Sequence, residues 1–241
     1  MLFYSNLDEY IQEQRDKLDH LPQANIPEKG LILKVLKQSD NERDLINQVK
    51  YSKNQDVEFL EIDYLGIIGE RHRRAFRHST GREKSLYPKG TTINENRQIV
   101  AVSLYDCKIL SEKMNLNITP EILGANIVIE REDRQDFSLS ALPVNSYILI
   151  GNPDSAELPK PPNATLINYT RQQGCVITGN AIAKEYCSKN PSKWPSISKR
   201  FIDCSKDNRG ILCSVEFPVN DPAIIKKGQS VFFLFPKGVT P

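Results

Sequence analysis

One stretch of the sequence indicates both the class of fold and the place of a reactive group: Ala164-Thr165-Leu166-Ile167-Asn168-Tyr169-Thr170-Arg171-Gln172-Gln173-Gly174-Cys175. Residues 164–170 are rich in β-branched and apolar side chains, which predicts a strand. Residues 178–188 carry Ile182 and Tyr186 one helical turn apart, which predicts a helix. A strand, a short turn that contains Cys175 and a helix therefore follow one another here.

Short runs of the same kind recur along the chain and set the expected fold class. They lie at 31–37, 57–63, 98–103, 126–131, 146–151, 164–170, 210–217 and 230–235. These eight candidate strands indicate a barrel or a sandwich, and the helices are too few for the regular rhythm of a doubly wound fold. One helix begins after Ser103, with Asp106 three residues on and Cys107 and Leu110 on one face. We therefore predict a mainly β protein with a few peripheral helices.

The length and composition fit an ordinary folded protein. The chain has 241 residues, of which 39% are hydrophobic and 26% charged. We expect an N-terminal helical extension over 1–28, with its helix at 7–20, and one barrel domain over 29–241. The segments 152–163 and 188–209 are rich in proline and polar residues and are expected to be long loops. A division into two domains near 152–163 is the alternative.

Targeting signals are not evident in the sequence. The longest apolar runs fall far short of the roughly 20 residues that a membrane-spanning helix needs. The residues from Met1 to Tyr10 show no basic region followed by an apolar region, so they do not read as a secretory signal. A cytoplasmic protein without a membrane partner is expected.

Basic charge is concentrated in one segment. Between Arg71 and Lys89 there are seven basic residues against one acidic residue, Glu83, whereas the whole chain has a net charge of only +2. Arginines next to glycines suit close contact with a phosphorylated ligand. A solvated basic face and a nucleic-acid surface are the alternatives. Nucleic acid is not favoured, because only Phe76 and Tyr87 offer stacking surfaces in this segment.

Cys175 is the cysteine best placed for chemistry. The chain has five cysteines and no C-x-x-C pair, so reduced thiols are expected rather than a disulfide framework or a zinc site. Cys175 stands just ahead of a predicted helix N-terminus, with Arg171 nearby, and this positive field favours a thiolate. A tight turn that merely packs on the sheet is the alternative. The sequence has no dinucleotide, P-loop or G-x-S-x-G motif.

Several short motifs in a fixed order are similar to a known family. They are Gly66-Ile67-Ile68-Gly69-Glu70-Arg71-His72, Asn96-Arg97-Gln98, Ala101-Val102-Ser103, Leu123-Gly124-Ala125-Asn126-Ile127, Leu142-Pro143, Thr170-Arg171-Gln172-Gln173-Gly174-Cys175, Arg209-Gly210-Ile211-Leu212 and Lys227-Gly228-Gln229-Ser230-Val231. In this order, over roughly residues 57 to 235, the chain resembles the MOSC family, the domain at the C-terminus of molybdenum-cofactor sulfurases. Glu70 stands where family members usually have Asp, and Gly174 where they usually have Pro.

The resemblance implies a fold, a cofactor and a set of site residues. The fold is a MOSC-like β-barrel, and the cofactor is a molybdenum ion bound to molybdopterin. Cys175 corresponds to the family's invariant cysteine, on or near the metal, and Arg71 to an arginine that contacts the phosphate. The positions near the pterin are Ser103, Asn126, Thr170 and Arg171. For Ser103, a helix cap explains the residue equally well.

Two activities follow from the resemblance. A molybdenum-dependent reductase of small N-hydroxylated compounds is favoured, and it needs a separate electron-donor protein because no iron–sulfur motif is present. The alternative is a persulfide carrier for molybdenum-cofactor maturation, supplied by a separate cysteine desulfurase. The residues before the first matched strand are too few to encode a sulfur-mobilising domain. A non-catalytic module that binds an anion or nucleic acid is the third possibility.

Overall fold

The computed structural model of the chain describes residues 28–38, 53–80, 85–131, 133–151, 162–218 and 221–236. The strands are β1 (Glu28–Gln38), β2 (Asn54–Asp56), β3 (Phe59–Asp63), β4 (Gly66–Ile67), β5 (Phe76–His78), β6 (Thr92–Asn94), β7 (Ile99–Val102), β8 (Ile127–Glu130), β9 (Tyr147–Ile150), β10 (Ala164–Arg171), β11 (Ile211–Phe217), β12 (Ala223–Lys226) and β13 (Ser230–Leu234). The helices are α1 (Leu104–Met114), α2 (Pro120–Leu123), α3 (Val176–Cys187) and α4 (Trp194–Cys204). The helix predicted at 7–20 lies outside the described residues.

Seven strands close into a barrel. Their order is β13, β9, β10, β11, β7, β8 and β1, and β1 pairs back to β13. Neighbours are antiparallel except β7 and β8, which run parallel and are joined through α1 and α2. β9 and β10 flank the segment expected to be a loop at 152–163, and they pair with each other directly. Strands from before and after this segment therefore build the same barrel.

Alternating apolar side chains fill the barrel. In β11, Ile211, Cys213 and Val215 are buried, while the residues between them are partly exposed. Other members of this interior cluster are Ile32, Ile99, Ala101, Ile127, Ile129, Leu139, Ile148, Ile150, Leu166, Val231 and Phe233. Each large apolar side chain buried in this way contributes about 1.5–3 kcal/mol relative to an exposed one. The interior cluster is thus a main source of the barrel's stability.

A second apolar cluster joins the helices to the barrel wall. It includes Leu36, Val102 and Val128 from the strands and Leu110, Ile122, Ile182 and Phe201 from the helices. α3 and α4 approach closely at Gly179, where an added Cβ would lie 2.7 Å from the Cα of Ser198. This close crossing fixes the position of α3. In the described part of the chain no helix is long and apolar enough to cross a membrane.

The strand register brings two connecting segments together at one end of the barrel. Ile211 pairs with Ala101 on one side and with Arg171 on the other. The segment 172–175 follows the end of β10 at Arg171, and the segment 208–210 precedes the start of β11 at Ile211. Because Arg171 and Ile211 are paired, the two segments lie side by side. Their backbones are joined by the hydrogen bond from the Gln172 N–H to the Gly210 carbonyl, at 2.9 Å.

The predicted fold class is confirmed. All eight predicted strands are present, with ends within three residues of those expected. The helices predicted after Ser103 and over 178–188 correspond to α1 and α3. The strands that were not predicted are β2, β4, β5, β6 and β12, which have only two to four residues. Strands of this length are too short for an alternation of apolar and polar residues to be recognised in the sequence.

The expectation of a long loop over 188–209 is wrong. This segment contains a 3-10 turn, Pro191–Lys193, followed by α4. Prolines are typical of loops, but here Pro191 and Pro195 occupy the first turns of these helical elements. Proline is well tolerated there because the N–H that it lacks has no partner within the helix.

Candidate functional site

Cys175 lies at the N-terminus of α3 and caps it. Its backbone is extended, with φ −138° and ψ 156°, and its sulfur accepts a hydrogen bond from the Thr178 N–H at 3.5 Å. The same sulfur lies 3.4 Å from Thr178 Oγ1. The free N–H groups and the dipole at a helix N-terminus favour negative charge on a side chain in this position. The residue as a whole is partly exposed.

The cationic side chain beside Cys175 is Arg209. Its Nη1 lies 3.8 Å from Cys175 Sγ and also donates to the Gln173 carbonyl. Its Nη2 donates to the Leu123 carbonyl, at 3.0 Å, and to Thr178 Oγ1. The guanidinium carbon stacks 5.3 Å from the centre of the Phe201 ring. With only 3% of the residue exposed, Arg209 is a buried cation that contacts the sulfur.

Two glycines, Gly174 and Gly210, allow the turns that contain Cys175 and Arg209 to pack closely on neighbouring elements. A Cβ on Gly174 would lie 2.2 Å from Ser205 Oγ and 2.8 Å from the Cα of Ile202, so the turn before Cys175 packs directly on the end of α4. Gly210 has φ +78°, and a Cβ there would lie 2.2 Å from the Ala101 carbonyl oxygen. The Gly210 N–H donates to Ser140 Oγ at 2.7 Å. A side chain larger than hydrogen would push the segment at Gly174 away from α4 and the segment at Gly210 away from β7.

Ser103 is buried at the N-terminus of α1 and forms a capping box with Asp106. The Asp106 N–H donates to Ser103 Oγ at 3.0 Å, and the Ser103 N–H donates to Asp106 Oδ2 at 3.1 Å. Ser103 Oγ donates to the same carboxylate, and Ser138 Oγ donates to its other oxygen at 2.6 Å. The cap that the sequence suggested is therefore present, and the hydroxyl of Ser103 is fully engaged inside the protein.

Asn126 is also buried and uses its side-chain amide within the fold. Its Oδ1 accepts from the Val100 N–H at 3.0 Å, and its Nδ2 donates to the Leu36 carbonyl and to Glu70 Oε1, each at 3.3 Å. Glu70 Oε1 also accepts from the Gln38 N–H at 2.8 Å. Asn126 therefore ties the start of β8 to β7, to β1 and to the glycine-rich turn that precedes Arg71.

The remaining predicted residues lie at the surface. Arg71 is exposed and its Nε donates to His72 Nε2 at 3.1 Å. Thr170 is partly exposed at the end of β10. Arg171 is exposed and pairs with Asp207 at 3.1 Å. The structure thus brings Arg209, rather than the predicted Arg171, into contact with the sulfur of Cys175.

Part of the basic segment surrounds one buried carboxylate, that of Glu95. Glu95 has no exposed side-chain surface, and its oxygens lie 2.9 Å from Arg74, 3.3 Å from Arg77, 3.4 Å from Arg97 and 3.5 Å from His72. Burial on its own raises the pKa of Glu95, but hydrogen bonds from His72 and Arg74 outweigh it and lower the pKa to about 2. We call Glu95, Arg74, Arg77, Arg97 and His72 the Glu95 cluster. It holds Arg74 and Arg77, two of the seven Lys and Arg residues between Arg71 and Lys89, in ion pairs within the protein.

The other cysteines occupy different environments. Burial raises the pKa of the Cys213 thiol to about 12, and it raises the pKa of the Cys107 thiol well above its ordinary value. Cys187 and Cys204 are partly buried, at the C-terminal ends of α3 and α4. All five cysteines are free thiols. In the described ranges, no group of three or more His, Cys, Asp or Glu is arranged to hold a metal ion.

Comparison with known proteins identifies a related sequence and a solved structure with a similar fold. No protein-family model matches the chain. YuaD from Bacillus subtilis, described as a candidate metal-sulfur cluster biosynthesis protein, is 28% identical over 174 residues, which is 72% of this chain and 80% of that protein. The crystal structure of YuaD superimposes with a TM-score of 0.63 at 23% identity, covering 86% of this chain and 98% of that chain. The chain has the YuaD fold.

The shared fold agrees with the predicted β-barrel and its peripheral helices. A further similar structure is that of YiiM from Geobacillus stearothermophilus, with a TM-score of 0.46, 12% identity and coverage of 87% of this chain and 77% of that chain. The YuaD match covers most of both chains, so it includes most of the barrel and helices described above.

Arg209 is a site residue that sequence reasoning did not assign. It belongs to the Arg209-Gly210-Ile211-Leu212 motif, and this motif was the signal in the sequence that could have drawn attention to it.

Proposed function

We propose that this chain is a MOSC-type protein that carries sulfur, as a persulfide on Cys175, for the assembly of a metal–sulfur cofactor. The observation that carries the proposal is the position of Cys175 Sγ, which accepts the Thr178 N–H at a helix N-terminus and lies 3.8 Å from a buried guanidinium. Thiolates held beside positive charge are the reactive form of cysteine. The other described cysteines lack this arrangement at a helix N-terminus.

The chemical step needs only a persulfide donor of the cysteine-desulfurase class. The Cys175 thiolate attacks the outer sulfur of the donor persulfide and forms a new Sγ–S bond. The S–S bond of the donor breaks, and the donor leaves as a thiolate with the electron pair. A proton on the outer sulfur stays on that sulfur, so the transfer needs no oxidant or reductant. The product persulfide is an anion near neutral pH, which suits the same positive surroundings.

Three further observations support this proposal. The relative YuaD is described as a candidate for metal-sulfur cluster biosynthesis. The chain shares the YuaD fold. In the resemblance to the MOSC family, Cys175 corresponds to the family's invariant cysteine. The cytoplasm, where thiols are kept reduced, is the proposed compartment.

A molybdenum-dependent reductase is the second candidate, and the surroundings of Cys175 favour it. A thiolate beside a cation suits a soft metal that already has sulfur ligands. In this candidate Cys175 would bind the molybdenum, and exposed Arg71 would contact the phosphate of molybdopterin. When bound, the cofactor would supply two-electron reduction of an N-hydroxylated compound, with electrons from a separate protein.

The described residues fit this cofactor at its metal end better than at its pterin end. Ser103 is completely buried and both of its polar groups are bonded to Asp106. The Nδ2 donors of Asn126 are likewise taken up within the fold. Neither side chain has a free donor for a pterin. This is why the persulfide carrier is the first proposal and the reductase the second.

Sulfur loading tests the proposal directly. The protein is incubated with a cysteine desulfurase and cysteine, and peptide mass spectrometry locates any added sulfur. We expect a persulfide on Cys175 and none in the Cys175→Ser variant, whose hydroxyl still caps α3 and preserves the fold. Cys187→Ser is the matched control at the other end of the helix and should load normally.

Two outcomes would decide against the carrier. Added sulfur that is found only at other cysteines of the wild-type protein would show that Cys175 is not the acceptor. Reduction of benzamidoxime by protein from a host that makes molybdopterin, with an artificial electron donor, would favour the reductase if the activity depended on molybdenum and on Cys175. Protein that loads sulfur but reduces nothing would favour the carrier.

A further inference from the structure

We propose that an exposed basic and apolar surface beside Cys175 is the docking site of the protein that donates sulfur, and that this donor carries acidic residues around its own persulfide. The surface consists of Val176, Lys199, Ile202 and Lys206, and we call it the donor face. The inference rests on the proposed function, because it concerns the partner that reacts with Cys175.

The donor face borders the turn that contains Cys175. A Cβ on Gly174 would lie 2.8 Å from the Cα of Ile202, so α4 packs directly against this turn. Val176 follows Cys175 in the sequence and is 56% exposed, and Ile202 is 37% exposed. Sulfur transfer requires the donor's outer sulfur to come within the length of an S–S bond, about 2 Å, of the acceptor sulfur. Residues next to the donor's cysteine must therefore contact this surface.

The donor face lies in a strongly basic part of the chain. From Lys189 to Lys206 there are five basic residues against one acidic residue, Asp203, and all five basic residues are exposed. Lys199 precedes Ile202 by three residues on the same side of α4, and Lys206 follows the end of the helix. Within the ranges that the structure describes, neither lysine is in an ion pair. Positive charge is therefore available on both sides of an exposed apolar residue.

This combination fits an acidic protein segment better than it fits nucleic acid. The aromatic side chains of α4, Trp194 and Phe201, are both buried, so neither ring is available for the stacking of bases. An apolar centre with a charged rim is the usual composition of a protein interface. Opposite charge on the partner speeds the encounter and fixes its orientation. A donor with acidic and apolar residues beside its cysteine matches both parts of the donor face.

The test compares two synthetic peptides that each carry a cysteine persulfide, one flanked by Glu and Leu and the other by Lys and Leu. In each transfer the Cys175 thiolate takes the outer sulfur, the S–S bond of the peptide breaks, and the peptide leaves as a thiolate. Mass spectrometry measures each rate of loading relative to that from cysteine persulfide, a donor too small to span the donor face. At low ionic strength we expect the acidic peptide to load the wild-type protein about tenfold faster than the basic one.

Charge reversal on the donor face should remove this preference. In the double variant Lys199→Glu, Lys206→Glu the two peptides should load at similar rates, and the wild-type preference should shrink as salt is added. The double variant Lys199→Gln, Lys206→Gln should show an intermediate preference and serves if charge reversal disturbs folding. Lys226→Glu, Lys227→Glu is the matched control, because these exposed lysines precede β13 at the end of the barrel where β10 begins, whereas Cys175 follows the end of β10. It should keep the wild-type preference.

The inference is overturned if the wild-type protein loads both peptides equally, or if the folded donor-face variants keep the full preference for the acidic peptide. Binding of duplex DNA, followed by fluorescence anisotropy, is the second measurement. DNA binding that is lost in the donor-face variants while their peptide preference stays unchanged would assign this surface to nucleic acid instead. A wild-type protein that takes no sulfur from cysteine persulfide at Cys175 would contradict the proposed function itself, which is a different result from equal loading by the two peptides.

Discussion

Arginine has opposite roles in two regions of this protein. At the end of the barrel, the single side chain of Arg209 is held by neutral oxygens and directs its charge toward Cys175. In the Glu95 cluster, three arginines and a histidine surround one buried carboxylate. The first arrangement places a guanidinium against a cysteine sulfur, whereas the second uses positive charge to hold a connecting segment in place.

The contrast shows that the partners of an arginine, rather than the local number of basic residues, indicate its role. The segment with seven basic residues has the higher density of charge, yet several of these residues are taken up by Glu95 and Asp63. Arg209 has no such dense neighbourhood in the sequence. The distinction between a structural and a functional arginine can therefore be tested by removing the partner in each region.

The largest effect on stability is expected from Glu95→Gln. This change leaves buried and half-buried guanidinium groups without their shared carboxylate, so the free energy of unfolding should fall by about 3–5 kcal/mol. Chemical denaturation with urea measures it. Asp136→Asn is the control, because its ion pair with Arg134 is exposed and worth less than about 1 kcal/mol. Equal losses in the two variants would show that the Glu95 cluster is an ordinary surface network.

The pH dependence of stability sharpens the same test. The pKa of Glu95 is about 2 in the folded protein, below its ordinary value of 4.5. A carboxyl with a depressed pKa contributes stability that is present above the unfolded value and is lost as the pH falls toward the folded value. We therefore expect wild-type stability to decline from about pH 5 to pH 2 more steeply than that of Glu95→Gln. Parallel curves for the two proteins would contradict this expectation.

A smaller loss is expected from Gly210→Ala, which disturbs the other region. The positive φ of 78° and the contact at 2.2 Å with the Ala101 carbonyl oxygen should together cost at least about 2 kcal/mol. Gly228→Ala is the matched control, since φ is +87° there but nothing lies within 4 Å of the added Cβ. Gly210→Ala should also lower sulfur loading at Cys175, because it displaces the neighbouring Arg209 from the sulfur. Gly228→Ala should leave the loading unchanged.

Local sequence patterns predicted most of the fold and one residue of the site. Alternation gave the main strands, and the spacing from Ser103 to Asp106 gave the start of α1 because a capping box is a local motif. The contact between Arg209 and Cys175 depends on strand register and on α4 packing against Gly174, which no local pattern records. Glu95 follows the basic segment in the sequence, so a charge count over that segment did not include the residue that pairs with it.

The smallest effect is expected at Arg171, the arginine that the sequence placed beside Cys175. Its side chain is 48% exposed and its partner Asp207 is 55% exposed, so solvent screens the pair. Arg171→Met should change the free energy of unfolding by less than about 0.5 kcal/mol. Because Arg209 provides the contact with the sulfur, sulfur loading at Cys175 should also be unaffected. Urea denaturation and the desulfurase assay measure the two quantities on the same protein. Loss of sulfur loading without loss of stability would mean that the exposed Arg171 acts on the sulfur donor or on the sulfur of Cys175, and that contact with the sulfur is not what distinguishes Arg209 from Arg171.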